Sequence, residues 1–295
     1  MRTAFLASVL TALACASGVH AAEGAPVEVS PGAQSFHVGD LHLWALRDTE
    51  LAVDNDGKTF GVGVGSDAVA QVLQSAGAPT EHISFSDNVL LLSVGKLVVL
   101  FDTGIGPGRR GVMLKSLQQA GVAPEEVTDI LITHPHMDHV GGLVTAHGAP
   151  QFPDAVVRMS AAAWTWLQHK TPQLAKAITQ QVRTFAPGEE LVPGVVRSVS
   201  LAGHAPGHVG YEIISGRARL LDIGDIAHSS VVSLAKPQWP NGFDEDRKVA
   251  KATRLAKLTQ LANSHERVFA PHFPFPGIGH IVAEGEGFAW KADSP

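Results

Sequence analysis

The chain is poor in cysteine and in charge. Cys15 is the only cysteine among 295 residues, and it lies in an N-terminal stretch that we expect to be removed. The mature protein is then predicted to have no disulfide, no thiolate metal ligand and no cysteine nucleophile. Only 17% of the residues are charged and 45% are hydrophobic, which indicates a folded chain with a sizeable core. The formal net charge is -6 and no Lys/Arg-rich block is present, so we expect no nucleic-acid partner.

The first 21 residues are typical of a secretory signal peptide. Arg2 provides the positive start, residues 4–16 are a short apolar stretch, and Val19-His20-Ala21 places small residues at a cleavage site. The apolar stretch is too short to cross a membrane as a helix. We therefore expect a periplasmic or secreted protein without stable membrane insertion. Lipidation of Cys15 is an alternative, which the residues before it disfavour because they match a lipid-attachment site poorly.

The remaining chain is predicted to form one domain. Residues 22–35 are rich in Gly, Pro and Ala, which predicts a flexible arm, and residues 36–295 contain no short repeat. Apolar runs predict strands that come mostly as hairpins, such as residues 88–94 with residues 97–101. Helical patterns lie between groups of strands. This order predicts an α/β (α+β) fold in which two mixed sheets pack together with helices outside.

Three local patterns carry further predictions. Residues 48–66 are rich in Asp and Gly and lack a period, which predicts a mobile loop near a site. Residues 244–263 predict the longest helix, whose apolar stripe is Val249, Ala252, Leu255, Leu258 and Leu261. Residues 268–270 predict the final strand, which ends at Pro271.

The most informative stretch is His134-Pro135-His136-Met137-Asp138-His139, which follows the apolar run of residues 130–132. Imidazole suits zinc and other borderline transition metals, and a carboxylate suits a harder position. A histidine-rich polar turn is the plainer interpretation, but buried polar clusters without partners are rare. Gly141-Gly142 then permits a tight turn and a close approach to the site.

Four other positions repeat one pattern, in which an apolar strand stops and a ligand-type residue follows. These residues are Asp102, His204, Asp225 and His272. Strand ends on a common edge bring distant residues into one pocket. Each residue alone is more simply a hydrogen-bonded loop residue, but together with the histidine cluster they support one another.

This series of motifs resembles the metallo-β-lactamase-fold hydrolase superfamily. All five motif positions are present in order, and the resemblance covers nearly the whole mature chain. Residues 270–280, residues 191–194 and the secretory leader are similar to the methyl parathion hydrolase-like branch. The resemblance implies a four-layer αββα sandwich.

The resemblance also implies a site for two divalent metal ions, expected to be zinc. One ion would be held by His134, His136 and His204. The other would be held by Asp138, His139 and His272. Asp225 would bridge them, because a carboxylate has two oxygens. A hydroxide between the ions would attack the substrate, so Asp138 and Asp225, which border it, are assigned catalytic roles.

Other residues are expected to act around the ligands. Asp102 matches a motif that orients ligands without binding metal, and His208 is expected to support the site, with substrate contact as the alternative. The substrate pocket is predicted to contain Trp166, Phe85 and Phe273, although core packing is the alternative for Trp166. His228 and the other remaining histidines have no supporting context and are interpreted as surface or core polar residues.

We expect a hydrolase whose substrate is a small molecule with an apolar leaving group. β-Lactamases of this fold often place a cysteine where Asp225 stands, so the predicted order is lactone or carboxylic ester, organophosphate triester, then thioester. The thioester hydrolase would be glyoxalase II-like. An iron-dependent sulfur oxidoreductase (persulfide dioxygenase-like) is the alternative from another class, and a non-catalytic binder is the third. The sequence leaves a homodimer open.

Overall fold

The protein is seen in a computed structural model that describes residues 25–294. These residues form two sheets that pack face to face, with helices on both outer faces. The predicted αββα sandwich is therefore confirmed. The predicted signal peptide and Cys15 lie outside the described residues. Within residues 25–294, no helix combines the length and the apolar character that crossing a membrane requires.

The first sheet has the strand order β1-β3-β4-β5-β6-β7-β8, with β2 paired to β3. Its strands are β1 (Ala25–Val27), β2 (Ala33–Val38), β3 (Leu41–Asp54), β4 (His82–Val94), β5 (Leu97–Phe101), β6 (Asp129–Leu131), β7 (Val156–Ser160) and β8 (Val182–Phe185). The pairs from β5 to β8 are parallel and the others are antiparallel. Parallel neighbours need crossover connections, and helices lie in each of these connections.

The second sheet has the order β15-β14-β13-β12-β11-β10-β9. Its strands are β9 (Glu190–Val192), β10 (Val196–Ser200), β11 (Val209–Ser215), β12 (Ala218–Asp222), β13 (Arg267–Phe269), β14 (Ile278–Glu284) and β15 (Gly287–Ala292). Only the pair β12 and β13 is parallel among these described strands. The long connection between those two strands contains two helices, as a crossover requires.

The described residues form seven α-helices. They are α1 (Ser66–Ser75), α2 (Met113–Gln119), α3 (Met137–Val140), α4 (Ala161–Lys170), α5 (Pro172–Ile178), α6 (Val232–Ala235) and α7 (Arg247–Ser264). The Ser160 side chain accepts the N–H of Ala163 at the start of α4, and the Asp246 side chain accepts the N–H of Val249 at the start of α7. Such side-chain caps satisfy N–H groups that have no partner within the helix.

The apolar run in β4 is buried on both faces of the first sheet. Leu90 and Leu92 pack between the two sheets, whereas Val89 and Leu91 pack toward the outer helices. Because successive side chains of a strand point to opposite faces, a strand covered on both sides needs an uninterrupted apolar run. Burying each such side chain stabilises the fold by about 1.5–3 kcal/mol.

Three local predictions differ from the structure in whole or in part. The expected flexible arm, residues 22–35, contains β1 and the start of β2 in its described part, because both pair with β3. The expected loop, residues 48–66, begins inside β3, which continues past an irregularity after Arg47, and only residues 55–65 lie between β3 and α1. Residues 268–270 do not form the final strand, because β14 and β15 follow and complete the second sheet.

The apolar stripe predicted for α7 is right only in its second half. Leu258 and Leu261 are buried, but Val249 is 40% exposed, and Ala250 and Arg254 lie on the buried face instead. The Arg254 guanidinium donates to the Asp244 carboxylate at 2.6 Å and to the Ile226 carbonyl at 2.6 Å. A charged residue with these partners therefore occupies the buried face, which an assignment from apolar residues alone cannot include.

Candidate metal centre

The predicted ligands come together where strands of both sheets end. His134, His136, Asp138 and His139 follow β6, while His204 follows β10, Asp225 follows β12 and His272 follows β13. Five of the seven are almost fully buried: His134, His139, His204, Asp225 and His272. Their possible ligand atoms form compact groups in which every atom lies within 4.8 Å of the others.

His134, His136 and His204 form the imidazole group. The Nε2 atom of His134 lies 3.1 Å from Nδ1 of His136, and Nε2 of His204 lies 3.2 Å and 3.0 Å from those two atoms. Nitrogen ligands of a tetrahedral zinc ion, each about 2.0–2.1 Å from the metal, are about 3.3 Å apart. The spacing of the imidazole group fits one ion of this size.

Asp138, His139, Asp225 and His272 form the mixed group. The Nε2 atom of His139 lies 3.8 Å from Asp138 Oδ2 and 3.2 Å from Asp225 Oδ1. The Nε2 atom of His272 lies 3.7 Å from Asp138 Oδ2 and 3.1 Å from Asp225 Oδ2. Two carboxylates and two imidazoles thus face one another over distances that a second ion can span.

Asp225 contacts both groups. Its Oδ2 atom lies 3.5 Å from Nε2 of His134 and 3.4 Å from Nε2 of His204, in addition to its contacts in the mixed group. Asp225 is only 1% exposed. Asp225 is therefore placed to serve two ions with its two oxygens.

Hydrogen bonds fix the tautomers of four ligand imidazoles. The Nδ1 atom of His139 faces Asp102 Oδ2 at 2.7 Å, that of His204 faces Asp244 Oδ1 at 3.2 Å, and that of His272 faces the Ser86 carbonyl at 2.8 Å. Nδ1 of His134 donates to Thr133 Oγ1 at 3.0 Å, because that hydroxyl itself donates to Asp102 at 2.7 Å. In its neutral form, each of these rings therefore presents a bare Nε2 lone pair to the centre.

The arrangement fits a pair of cations. Bare lone pairs that face one another at 3.0–3.2 Å repel unless a positive charge lies between them. Nε2 of His139 and Oδ1 of Asp225 are also buried without a hydrogen-bond partner. Divalent ions satisfy both conditions, and imidazole with carboxylate is a donor set that zinc accepts.

His134 and His136 of the imidazole group are held in the neutral form. Burial, reinforced by the charge of His139, lowers the pKa of His134 well below its ordinary value. Burial also lowers the pKa of His136 to about 3, with His204 adding to the effect. Neutral imidazole is the form that binds metal, so these two rings need no deprotonation at neutral pH.

The mixed group carries charge. Burial by itself lowers the pKa of His139, but the carboxylates of Asp225 and Asp138 outweigh it and raise that pKa well above its ordinary value. Burial by itself raises the pKa of Asp225, but His139 and His272 hold it well below the ordinary range. The mixed group of the metal-free chain therefore holds ionised carboxylates, and the proton of His139 balances part of their charge.

Asp102 and His208 support the ligands from outside the two groups. Asp102, with φ of 63°, accepts the N–H and hydroxyl of Thr133 and faces the ring of His139. His208 accepts the N–H of Asp225 at Nε2, at 3.1 Å, and burial lowers its pKa to about 3. His208 is buried and does not line the cavity described below, which favours the supporting role over substrate contact.

His228 belongs to the site, although the sequence interpretation assigned it no role there. Its Nε2 atom lies 3.1 Å from Oδ2 of Asp225. Asn241 accepts the N–H of Phe243 at Oδ1, which turns its Nδ2 donor toward Nδ1 of His228 at 2.9 Å. The proton of neutral His228 is therefore on Nε2, and the ring donates into the site. Its position three residues after Asp225 is the sequence feature that could have identified it.

Asp244 is a second residue that the sequence interpretation missed. Burial by itself raises its pKa, but the hydrogen bond from His204 and the charge of Arg254 lower it to about 2. The ionised carboxylate fixes the orientation of the His204 ring. No short motif marks Asp244, because its partners lie 40 and 10 residues away along the chain.

A cavity of about 200 Å³ opens over the ligands. Its walls are mostly apolar and comprise Leu51, Phe85, Ile105, Met137, Trp166 and Phe243. Phe85 and Trp166 thus line the cavity, but the prediction that Phe273 does so is wrong. Phe273 is fully buried and packs edge-on against Trp290 at 5.0 Å, because its side chain points into the core beneath α7.

A family model described as the metallo-beta-lactamase superfamily matches residues 85–272. This chain belongs to the metallo-beta-lactamase superfamily. The matched segment contains every predicted metal ligand as well as Asp102, His208 and His228. Membership in the superfamily agrees with the observed αββα fold, while the resemblance to the methyl parathion hydrolase-like branch stays a prediction.

Two solved structures are similar to this superfamily member over most of its length. AidC, described as a dizinc quorum-quenching lactonase in complex with a product, N-hexnoyl-L-homoserine, has a TM-score of 0.83 and 27% identity, covering 90% of this chain and 98% of AidC. AbOPH, described as a hydrolase in the beta lactamase superfamily, has a TM-score of 0.82 and 30% identity, covering 90% and 99%.

A curated relative matches a shorter segment. Metallo-beta-lactamase domain-containing protein 1 of Xenopus laevis is 50% identical over 58 residues, which are 20% of this chain and 24% of the relative. The chain thus spans about a quarter of the length of that relative. This match supports the family and carries no argument about substrate.

Proposed function

We propose that this chain is a metal-dependent hydrolase that cleaves small neutral lactones and carboxylic esters, using two divalent ions that we expect to be zinc. The observation that carries the proposal is the position of Asp225, whose oxygens contact both donor groups at the floor of an apolar cavity. The similarity to AidC, described as a dizinc lactonase, supports both the ion pair and the substrate class.

The imidazole group would hold one ion and the mixed group the other, with Asp225 shared. Ions bound there supply Lewis acidity and a nucleophilic water at neutral pH. The chain itself supplies orientation and proton donation. His228 carries its proton on Nε2, and burial lowers its pKa to about 4, so the ring is neutral at pH 7. It can therefore donate a hydrogen bond to an oxygen on which negative charge develops.

The lining of the cavity favours a neutral substrate. Among the described residues that line it, none is Lys or Arg, while Asp138, Asp225 and Glu245 contribute carboxylates. A substrate with its own carboxylate, such as a β-lactam or an acidic thioester, would meet no cationic partner apart from the metal ions. The apolar walls suit an alkyl or aryl group of the substrate. We rank the lactone or carboxylic ester first, the organophosphate triester second and the thioester third.

The test is a substrate screen with metal quantified in the same preparation. The purified chain, loaded with zinc, is assayed with γ-decalactone, 4-nitrophenyl butyrate, a phosphotriester and a neutral thioester. We expect about two zinc ions per chain and the highest kcat/KM for the lactone or the ester. A single redox-active iron with oxidation of a persulfide would contradict the proposal and favour the sulfur oxidoreductase.

We also propose that the chain is exported to the periplasm or secreted, because residues 1–21 have the composition of a signal peptide. N-terminal sequencing of the mature protein from fractionated cells is the test, with Ala22 or Glu23 expected as the first residue. A mature protein that begins at Cys15 with attached lipid would support the lipoprotein alternative instead. The homodimer stays a prediction, which light scattering on the purified chain tests.

A further inference from the structure

We propose that Glu245 positions Trp166 as the apolar wall against which the bulky group of the substrate packs. The proposal rests on the function proposed above and gives a role to a residue outside the metal ligands. Both residues line the cavity, where Trp166 lies beside His136 and the backbone of Glu245 contacts that of His204.

A hydrogen bond joins the two residues across the chain. The indole Nε1–H of Trp166 donates to Oε1 of Glu245 at 2.9 Å, although the residues are 79 positions apart. Trp166 lies on α4, which packs on the first sheet, and Glu245 lies just before α7, which packs on the second. The bond therefore connects the two outer layers of the sandwich beside the cavity.

The bond holds the indole in one place. Trp166 is only half-buried, and its ring centroid lies 5.7 Å from that of His136 in an edge-on arrangement. A half-buried side chain has few neighbours to select its rotamer, so a directional bond to its single donor decides where the ring lies. In the observed position the indole covers one side of a predicted metal ligand.

Glu245 is itself anchored to the metal centre. Its backbone N–H donates to the carbonyl of His204 at 3.0 Å, and the next residue, Asp246, donates to the carbonyl of Gly203 at 2.9 Å. A Cβ at Gly203 would lie 2.1 Å from the backbone nitrogen of Ala250, so glycine permits this close approach to α7. The backbone from which the Glu245 side chain extends is therefore held in place relative to the predicted ligand His204.

Three variants distinguish the loss of the hydrogen-bond acceptor of Glu245 from the loss of its negative charge. Glu245→Ala removes the acceptor, Glu245→Gln keeps an acceptor without charge, and Trp166→Phe keeps an apolar ring without the donor. For γ-decalactone we expect Glu245→Ala to raise KM by about fivefold with kcat within twofold, because a lost exposed hydrogen bond weakens positioning and not the chemistry. For γ-butyrolactone, which has no alkyl chain, we expect KM to change by less than twofold.

A double-mutant cycle tests whether Glu245 acts through Trp166. In the Trp166→Phe background, Glu245→Ala should add no further increase of KM, since the donor is already absent. Glu245→Gln should restore most of the wild-type preference for γ-decalactone. Equal losses in the Gln and Ala variants would overturn the proposal, because the charge would then carry the effect, and additive effects in the cycle would overturn it as well.

A readout independent of turnover keeps the proposal separate from the proposed function. The chain has five tryptophans, and 5-fluorotryptophan labelling gives each one a ¹⁹F resonance, with Trp166→Phe identifying the one of interest. That resonance should shift or broaden in Glu245→Ala and stay in place in Glu245→Gln. An unchanged resonance in Glu245→Ala would overturn the positioning role. Absence of any hydrolysis with the expected resonance change would refute the proposed function alone.

Discussion

The imidazole group and the mixed group lie side by side and share Asp225, yet the protein prepares them differently. Burial keeps His134 and His136 neutral, so an ion entering the imidazole group meets free lone pairs. In the mixed group the neighbouring carboxylates raise the pKa of His139 and of His272, which burial alone would lower. An ion entering there must displace protons. The two positions should therefore differ in affinity and in its dependence on pH.

The largest effect is expected from removing the ligand that both groups share. Asp225→Ala should lower kcat/KM by more than about a thousandfold and reduce the metal content, because one donor is lost from each position. The substitution also removes the nearer of the two carboxylates that face Nε2 of His139 and of His272 in the mixed group. Metal analysis and assay of the purified variant provide the measurement.

A matched control for that variant is Asp222→Asn. Asp222 lies in β12, outside both groups, and burial with the charge of Asp102 raises its pKa to about 8. Its carboxyl is thus already neutral at pH 7, and the amide has the same shape. The control should keep both ions, while an Asp225→Ala variant with two ions and full activity would show that Asp225 is not shared.

A smaller loss is expected when each group loses one of its own donors. His136→Ala and Asp138→Ala should each leave about one tightly bound zinc ion and lower kcat/KM by about a hundredfold. The retained ion should be the more pH-dependent one in His136→Ala, because it then sits in the mixed group. If both variants lose both ions, the two groups do not bind independently.

His228→Ala should lower activity less than His136→Ala or Asp138→Ala does. The ring donates from Nε2 to Asp225 and is not needed to hold either ion, so both ions should stay. The loss of one hydrogen-bond donor should lower kcat by about ten- to a hundredfold with little change of KM. Loss of one ion in this variant would show instead that His228 is a ligand, together with His204 and Asp225.

Asp222→Asn should have the smallest effect on turnover, but it should change how the free energy of unfolding depends on pH. Its pKa is about 8 in the folded chain, above the ordinary aspartate value of 3.8 that the unfolded chain should have, so the folded chain binds the proton more tightly. The free energy of unfolding should therefore fall as pH rises from about 4 to about 8, by about 1.4 kcal/mol per pH unit from this group. Denaturant titrations at pH 5, 6 and 7 should show a shallower decline in Asp222→Asn, and identical slopes would contradict this assignment.

The sequence pattern predicted the layers of the fold and the group of ligand-type residues better than it predicted the residues around those ligands. The cluster of residues 134–139 is contiguous, so its residue types indicate a metal site without any knowledge of the tertiary structure. β1 was hidden because it is a three-residue edge strand that contains Pro26, and proline is tolerated at an edge. The last hairpin was hidden because prolines and glycines precede β14 and suggested a loop.

The residues around the ligands depend on contacts that no local pattern records. His228 and Asp244 acquire their roles through Asn241, Arg254 and His204, which approach only in the folded chain. Phe273 follows a predicted ligand directly, but its side chain points to the core and not to the cavity. Proximity in sequence therefore indicates which strand ends at the site, but not which way each side chain turns.

The central claim is that two ions, one in the imidazole group and one in the mixed group, share Asp225. Crystals of the zinc-loaded protein, with data on both sides of the zinc absorption edge, test it directly. We expect two anomalous peaks, one among His134, His136 and His204 and one among Asp138, His139 and His272, with Asp225 in contact with both. A single peak, or two peaks with Asp225 turned away from either, would contradict the account.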